Sequence, residues 1–184
     1  GYSFYRYADH SRFDFDDLEA SLGIIHVLRD LNDLSVWARY KHTRLLEAGS
    51  YDQLFTDHSI ELGLYQPVPL GPRHSAYAAI TSDLSLDGNP GFAARHEHGL
   101  ILGHQFSPAS RIKFDTYYRL MLHNYRERGR DDLLQTAGIA ITTRLTDRID
   151  LVLSANYSIN GSDLPGGDYE AGDIGALLGF SFDF

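Results

Sequence analysis

Two short motifs place carboxylates and imidazoles at a spacing that could activate water. Asp14 and Asp16 form an Asp-x-Asp motif, and His96 and His98 form a His-x-His motif within "RHEH". Residues two apart in a β-strand point to the same face, so His96 and His98 would present both imidazoles together, while Asp14 and Asp16 lie in the first predicted outer loop. Carboxylates and imidazoles act as general bases in hydrolysis, and two histidines with a nearby carboxylate can bind a metal ion. Solvated loop carboxylates and interfacial histidines are the alternative interpretation.

Serine and histidine are adjacent at three positions, which raises the question of nucleophilic catalysis. His10, His58 and His74 each stand beside a serine. Neighbouring residues of a strand point to opposite faces, so none of these pairs can cooperate directly as nucleophile and base. The chain has no cysteine, which removes thiolate chemistry, disulfides and Cys-based zinc sites. With no phosphate-cradling loop or dinucleotide fingerprint either, we assign no catalytic, metal or cofactor site.

A short basic cluster, "YRERGRDD", carries Arg126, Arg128 and Arg130. Arginine recognises phosphate bidentately, so this cluster could contact the phosphates of lipopolysaccharide. The adjacent Glu127 and the Asp131 and Asp132 pair could instead neutralise it locally. The sequence leaves both interpretations open.

Composition limits the class of protein. The chain has 184 residues, 43% hydrophobic residues and a formal net charge of -9, with a mean hydropathy of -0.28. It fits one domain, and the acidic balance argues against a nucleic-acid partner. A helical membrane protein is excluded, because no apolar run approaches the ~20 residues that a membrane helix needs. No signal peptide precedes Gly1, so the chain is interpreted as mature or trimmed, with room for a missing upstream region.

Alternation of apolar and polar residues is the dominant pattern along the chain. Residues 149–159, "IDLVLSANYSI", place six apolar residues on one face and mainly polar residues on the other, which predicts a strand between two different environments. Read this way, the sequence predicts ten strands, most of them near the length that a tilted strand needs to cross a bilayer. The predicted strands are 2–7, 18–28, 34–44, 58–66, 75–86, 97–106, 112–125, 134–145, 149–159 and 173–184.

The connections between these strands alternate between two kinds. Four are short, at 29–33, 67–73, 107–111 and 146–148, and the links between them are mostly longer. A meander with one rim of tight turns and one rim of longer loops is typical of an outer-membrane barrel. We therefore predict an all-β, closed, antiparallel up-and-down transmembrane barrel of about ten strands, as a single domain over residues 1–184.

The polar face of the strands is predicted to line the interior of this barrel. Glycines and charges of both signs share that face, and a narrow interior would need both small residues and ion pairs. We call the mid-strand charges the lumen network: Arg39, Lys41, Glu61, Lys113, Asp115, Arg119, Arg144 and Asp150. The opposite face carries aliphatic residues such as Leu22, Ile60, Leu102 and Ile139, with aromatic residues toward its ends. These aromatics suggest girdles at the two membrane interfaces.

The last predicted strand places Leu178, Phe180, Phe182 and the terminal Phe184 on one face. Here the chain resembles bacterial outer-membrane β-barrels, whose last strand commonly ends in Phe and acts as an assembly signal. The resemblance covers the whole chain at the level of architecture and matches no specific family. It implies location in the outer membrane of a Gram-negative envelope, with membrane lipid, lipopolysaccharide and the barrel-assembly machinery as partners.

The expected function is a small, porin-like outer-membrane protein without catalysis, acting as a narrow channel, a membrane anchor or a docking partner for an envelope protein. One alternative is a rim hydrolase similar to the omptin proteases, which also have ten strands and use Asp-x-Asp with an Asp/His couple. Asp14, Asp16, His96 and His98 match those residue types, although the histidines stand in "RHEH" and not beside an Asp. The other alternative is a soluble lipocalin-like binding barrel with an apolar interior.

Overall fold

The chain folds into a single antiparallel sheet of ten strands. The computed structural model describes residues 2–5, 15–48, 50–126 and 129–180, and for 2–5, 15 and 180 it describes the backbone alone. The strands are β1 (Tyr2–Tyr5), β2 (Phe15–Leu28), β3 (Leu34–Glu47), β4 (Gln53–Gly71), β5 (His74–Asn89), β6 (Arg95–Ala109), β7 (Ile112–Tyr125), β8 (Arg130–Thr146), β9 (Ile149–Ser162) and β10 (Tyr169–Phe180). Two 3-10 turns lie at Arg29–Leu31 and Gly91–Ala93. The predicted all-β class is confirmed, and no helix in the described part of the chain has the length and hydropathy to cross a bilayer.

Each strand pairs with its neighbours in the chain, in the up-and-down order that the alternating hairpins predict. The register is staggered. One continuous row of paired residues runs through Tyr40, Ile60, Leu84, His96, Asn124 and Asp131. This row begins in the middle of β3 and ends at the second residue of β8. The strands are therefore inclined to the long axis of the sheet, as strands are in barrels.

The predicted closure is not observed: among the described residues, no pairing joins β1 to β10, and the sheet is open. Four residues of β1 are described. They pair only with Phe15–Leu18, so the outer edge of β2 from Glu19 to Leu28 has no described partner strand. Side chains along the two free edges are correspondingly exposed, as Ile24 (77%) and Ile174 (90%) show.

The two rims of the sheet differ as predicted at three of the four lower turns, 72–73, 110–111 and 147–148, which have two residues each. The fourth, 29–33, is as long as the upper connections at 48–52 and 90–94, and the remaining upper connections are 126–129 and 163–168. In the turn at 29–33, Asn32 and Asp33 adopt left-handed backbone angles, with φ of 54° and 60°, which these two residue types tolerate better than most. The upper connections are shorter than predicted, because the strands extend beyond their predicted ends, as β3 does to Glu47 and β4 does from Gln53.

The segment "PVPLGPR" was predicted as a link, but most of it belongs to β4, which continues to Gly71. Pro67 and Pro69 pair with Tyr77 and Ser75 of β5. The pairing of β3 with β4 begins only at Ser35 and Tyr65, so this part of β4 has no neighbour on its other side. Proline is tolerated on such an edge, where its missing N–H leaves no ladder bond unmade.

The sheet has two chemically distinct faces. The outer face, to which the even-numbered residues of β2–β7 point, exposes aliphatic side chains including Leu22 (81%), Ile80 (55%) and Leu102 (50%). On the other face, side chains two strands apart touch: Lys41 of β3 contacts Asp83 of β5, and Tyr77 of β5 contacts Asp115 of β7. Alternate strands are separated by about 9–10 Å, so side chains that meet across this gap converge on a concave surface, here called the inner face.

Candidate functional site

A four-residue ion-pair cluster occupies the inner face of β3, β4 and β5. Arg39 and Glu61 are direct cross-strand partners, and the Arg39 guanidinium donates to both Glu61 oxygens at 2.7 and 2.9 Å. Lys41 Nζ lies 3.3 Å from Glu61 Oε2 and also binds Asp83. Trp37 Nε1 donates to Glu61 Oε1 at 2.8 Å, so this carboxylate accepts from three different side chains.

Most of this cluster is shielded from water. The side chains of Lys41, Glu61 and Asp83 are only 17%, 13% and 19% exposed. A partly buried charge is costly unless it is paired and hydrogen-bonded, and here two cations meet two carboxylates. The cluster is therefore a charge-balanced structural element.

A second inner-face network surrounds Asp115 on β7. Tyr77 Oη donates to Asp115 Oδ1 at 2.9 Å, and Gln105 Nε2 donates to Oδ2 at 2.7 Å. The ring of Tyr65 lies 5.6 Å from that of Tyr77, centroid to centroid. These contacts join β4, β5, β6 and β7 across the concave face without an ion pair.

Three large aromatic side chains of the inner face lie over glycines of the adjacent strand. Trp37 faces Gly63, Tyr77 faces Gly103 and Tyr117 faces Gly138, each as a direct register partner. A Cβ atom at any of these glycines would collide with the aromatic ring opposite. The predicted crowding of the glycine-bearing face is found here, whereas Gly179 of β10 has no neighbour closer than 3.9 Å to its Cβ position. The difference follows from the place of β10 at the open edge.

A third cluster lies near the upper rim, in two consecutive rows of β6, β7 and β8. The upper row is Arg95, Tyr125 and Arg130, and the row below it is Glu97, His123 and Asp132. The guanidinium carbons of Arg95 and Arg130 lie 5.6 and 4.6 Å from the centre of the Tyr125 ring. Arg95 Nε donates to Glu97 at 2.6 Å, and Arg130 Nε donates to Asp132 at 2.8 Å.

Asp132 is the most strongly held carboxylate of the upper cluster. Asn124 and Asp131 lie beside these rows on the outer face, and Asn124 donates to Asp131 at 2.8 Å. The outer face is therefore polar at this height, so the upper cluster lies above the aliphatic part of the sheet. Asp132 is 3% exposed. Burial alone would raise its pKa, but hydrogen bonds from Arg130, Ser162 and Asn160 and the charge of Arg130 hold the pKa below the ordinary value for aspartate.

The predicted lumen network is divided among these regions. Arg39, Lys41 and Glu61 meet in the ion-pair cluster, while Asp115 lies in the second network. Arg119 lies over the Tyr117 ring, with 5.8 Å from its guanidinium carbon to the ring centre. Lys113 faces Thr142 across β7 and β8, and Arg144 pairs with Asp150 at 3.5 Å near the lower rim, where both side chains are about half exposed. The eight residues are therefore not one continuous network in the described structure.

Sequence reasoning missed several members of these clusters. Asp83 was not singled out, because only the register reveals that it lies two strands from Lys41. Arg95, Glu97 and Asp132 fell in or beside segments predicted as loops. Their spacing held a usable signal, since Arg95-x-Glu97 and Arg130-x-Asp132 are opposite charges two apart, which share a face when the segment is a strand.

The basic cluster of the upper rim is partly neutralised. Arg130 pairs with Asp132, as one of the two interpretations of "YRERGRDD" predicts. Arg126 instead donates to the backbone carbonyl of Leu86 at 2.9 Å, and its own N–H bonds the carbonyl of Ala94 at 3.1 Å. It therefore fastens the β5–β6 connection to β7. Arg128 lies outside the described residues.

The four residues of the hydrolase hypothesis are not brought together in the described part of the chain. His96 and His98 lie on the outer face of β6, where His98 Nδ1 is 2.9 Å from Ser82 Oγ. Asp16 lies on β2, four strands away along the sheet. Asp14 and His10 lie outside the described residues. No group of three or more potential metal-ligating side chains is found among the residues that the structure describes.

The predicted assembly signal is described only at its beginning. Leu178 is the register partner of Leu151 and is 53% exposed. The backbone of Phe180 pairs with Ile149, while Phe182 and Phe184 lie outside the described residues.

A cavity of about 400 Å³ lies on the inner face between β3 and β6. Its lining includes Lys41, Asp57, Asp83, Arg95 and Glu97, so both charge signs face it. Leu45, Phe55 and Ala93 also line it, so the cavity is of mixed polarity.

Comparisons with known proteins add no relative to this description. No protein-family model matches the chain, and neither a curated protein nor a solved structure matches it. The chemistry of the chain therefore has to be judged from its own residues.

Proposed function

We propose that this chain is a small β-barrel of the bacterial outer membrane, without catalysis, that serves as a membrane anchor or a docking partner. The observation that carries the proposal is the division between the two faces. The outer face exposes a continuous aliphatic surface, and the concave face holds the paired charges. In water this arrangement would be inverted, because a soluble sheet turns its apolar face toward the core. The inverted arrangement disfavours a soluble lipocalin-like binder.

The borders of the aliphatic surface support the same proposal. Toward the upper rim the aliphatic surface gives way to polar residues, where Asn124 donates to Asp131 at 2.8 Å on the outer face. Toward the lower rim, the rings of Phe106 and Phe114 stack with centroids 6.2 Å apart. Amphipathic and aromatic side chains collect at the levels where the lipid headgroups begin.

Closure of the sheet is part of the proposal. An open edge leaves backbone N–H and C=O groups without partners, and the hydrocarbon core has no water to satisfy them. The free edges of β2 and β10 both carry apolar residues directed to the outer face, such as Ile24 and Ile174. We expect the two edges of the sheet to pair in the membrane, which would close it into a barrel.

The interior favours an anchor or docking role over a channel. Three aromatic rings lie over the inner-face glycines, and the ion-pair cluster spans β3 to β5 beside them. Ten strands enclose a backbone radius of roughly 10 Å, most of which long side chains would fill. Membrane lipid and lipopolysaccharide would surround such a barrel. The terminal strand with Leu178, Phe180, Phe182 and Phe184 would be the element read by the barrel-assembly machinery.

Two measurements test the proposal. A closed membrane barrel should require detergent for purification, and it should migrate differently on a denaturing gel before and after boiling. The same protein in a planar lipid bilayer should give no discrete conductance steps. A monodisperse, detergent-free monomer without heat-modifiable migration would refute the membrane barrel. Discrete conductance steps would refute only the filled interior, and the protein would then be assigned a channel function.

A further inference from the structure

The lower rim has an unneutralised basic edge formed by two neighbouring turns. Arg73 lies in the β4–β5 turn and Arg111 in the β6–β7 turn, and both are exposed. The N–H of Ser107 donates to the Arg73 carbonyl at 2.8 Å, which ties the first turn to β6. No described carboxylate lies within ion-pair distance of either guanidinium, in contrast to Arg39, Arg95, Arg130 and Arg144.

Two histidines of the outer face adjoin this edge and bond to each other. His74 Nδ1 lies 3.2 Å from His104 Nε2, and the two rings are stacked with centroids 5.4 Å apart. The ring of Phe106 also stacks on the ring of His74, with their centroids 4.5 Å apart. In such a bond one nitrogen donates and the other accepts, so at least one ring must be neutral.

The surroundings of the histidine pair contain no described acid on the outer face. By register, the positions opposite the pair are held by Gly71 of β4, Phe106 of β6, Ala76 of β5 and Thr116 of β7. The hydroxyl of Thr116 donates to the His104 carbonyl at 3.3 Å. The nearest charged residues in the sequence are Arg73 and Arg111 in the turns, while Lys113 and Asp115 point to the inner face. A proton gained by this pair would meet no outer-face carboxylate.

We propose that Arg73, Arg111 and the His74–His104 pair bind the phosphate of an anionic phospholipid headgroup, and that they bind it more tightly at acid pH. The inference rests on the proposed membrane location, because only there does the lower rim meet a headgroup layer. Arginine supplies permanent cationic donors suited to phosphate oxygens. A neutral imidazole becomes a cation when it gains a proton, so the histidines can add positive charge to the site in acid.

Protonation changes the bonding of the pair in a defined way. When both rings have gained a proton from water, each carries two N–H donors and no acceptor, so the bond between them is lost. Each ring can then donate to an oxygen of the lipid phosphate, and no covalent bond is made or broken. The chain as a whole would oppose anionic lipid, since its formal net charge is -9 with neutral histidines. Attraction must therefore come from a local basic site.

The test measures lipid retained by the full-length protein folded in neutral detergent. Native mass spectrometry would count bound phosphatidylglycerol, with phosphatidylcholine as the neutral reference, at about pH 5.5 and about pH 7.5. We expect preferential retention of phosphatidylglycerol, increased at the lower pH by about fivefold for each added positive charge. Equal retention of the two lipids, or retention that does not depend on pH, would overturn the proposal.

Three double variants separate the parts of the site. H74Q/H104Q should bind phosphatidylglycerol equally at both pH values, and R73Q/R111Q should bind it less at both. The matched control is H42Q/H58Q, which changes another pair of neighbouring histidines, with ring centroids 4.4 Å apart, near the upper rim; it should behave like the wild type. Loss of the pH dependence in this control would assign the effect elsewhere and refute the site. If inorganic phosphate at equal concentration displaces the lipid, the site is a general phosphate site and the lipid assignment is wrong.

The outcome is separable from that of the proposed function. Heat-modifiable migration in phosphatidylcholine alone tests whether the chain forms a membrane barrel and needs no anionic lipid. A chain that passes this test but shows no preference for phosphatidylglycerol would retain the membrane assignment and lose the headgroup site. Each variant is compared with the wild type in the same migration assay, so a folding defect is recognised before lipid binding is interpreted.

Discussion

The indole of Trp37 lies directly over Gly63, its register partner on the neighbouring strand, and its Nε1 donates to Glu61 at 2.8 Å. One side chain thus fills the space that the missing side chain of Gly63 leaves and also binds the central carboxylate of the ion-pair cluster. The structure uses both the large ring of Trp37 and its N–H donor, a combination that few other residue types provide. The glycine and the cluster therefore depend on the same ring.

Replacement of Gly63 by alanine is expected to destabilise the fold by about 1–3 kcal/mol, the usual range for overpacking. The added methyl group would collide with the Trp37 ring and force it away from Glu61. The matched control is Gly161→Ala in β9, where no atom lies within 4 Å of the new Cβ. Urea-dependent unfolding followed by the loss of heat-modifiable migration would measure both. Equal stability of the two variants would contradict the packing described for Trp37.

Removal of the Glu61 charge should cost far more than removal of an exposed partner. Glu61→Gln removes the carboxylate that Arg39 binds and leaves Lys41 paired with Asp83, and we expect a loss of about 1–3 kcal/mol. Asp150→Asn breaks the pair with Arg144, whose partners are 55% and 46% exposed, and should cost less than about 1 kcal/mol. Denaturant midpoints of both variants provide the comparison. Similar midpoints would show that the inner-face cluster is as well solvated as the rim pair.

Acid should weaken the upper cluster through Asp132. Because hydrogen bonds and Arg130 hold its pKa below the ordinary aspartate value in the folded state, these contacts stabilise the fold above about pH 4 and are lost as the pH falls through the lowered pKa. We expect Asp132→Asn to be less stable than the wild type at neutral pH and to lose less further stability on acidification. Asp131→Asn, which changes a more exposed neighbour, should keep the wild-type slope of stability against pH. If the stability of Asp132→Asn fell with pH as steeply as that of the wild type, the linkage to Asp132 would be ruled out.

Opening of the interior should convert a silent barrel into a conducting one. The triple variant W37A/Y77A/Y117A removes the three rings that lie over Gly63, Gly103 and Gly138. We expect discrete single-channel steps from this variant in a planar bilayer and none from the wild type. Heat-modifiable migration must first show that the variant still folds. A folded variant that stays silent would mean that other inner-face side chains block the passage.

The sequence was most informative where a strand lies between two environments. The alternation in residues 149–159 predicted a strand that the structure extends only slightly, to Ile149–Ser162. The prediction was weakest where pairing does not depend on an apolar face. The upper end of β4, Gln53–Asp57, was predicted as part of a loop, because it carries no clear two-residue alternation, although it pairs with β3. The prolines also led to a wrong prediction of a link, because Pro67 and Pro69 lie in a part of β4 that pairs with β5 alone.

Contacts across the inner face could not be predicted for a different reason. A charge such as Lys41 is recognised as facing inward from alternation alone, but its contact with Asp83 depends on two successive registers and on curvature. A shift of one residue in either register would send one partner to the opposite face. Closure was likewise beyond the pattern, because alternation assigns the faces of each strand but does not determine whether the first and last strands pair.

The order of the strands has a kinetic consequence. Every described pair of neighbours in the sheet is also consecutive in the chain, so each hairpin can form from nearby segments at a low cost in loop-closure entropy. Contact order stays low until the two ends of the sheet have to meet, and only that last pairing would require residues separated by nearly the whole chain. Folding into a closed form should therefore be limited by this final step. A circular permutation that links the original ends of the chain and opens one upper loop would make the first and last strands consecutive. The slow step should then become the pairing of the two strands that flank the opened loop.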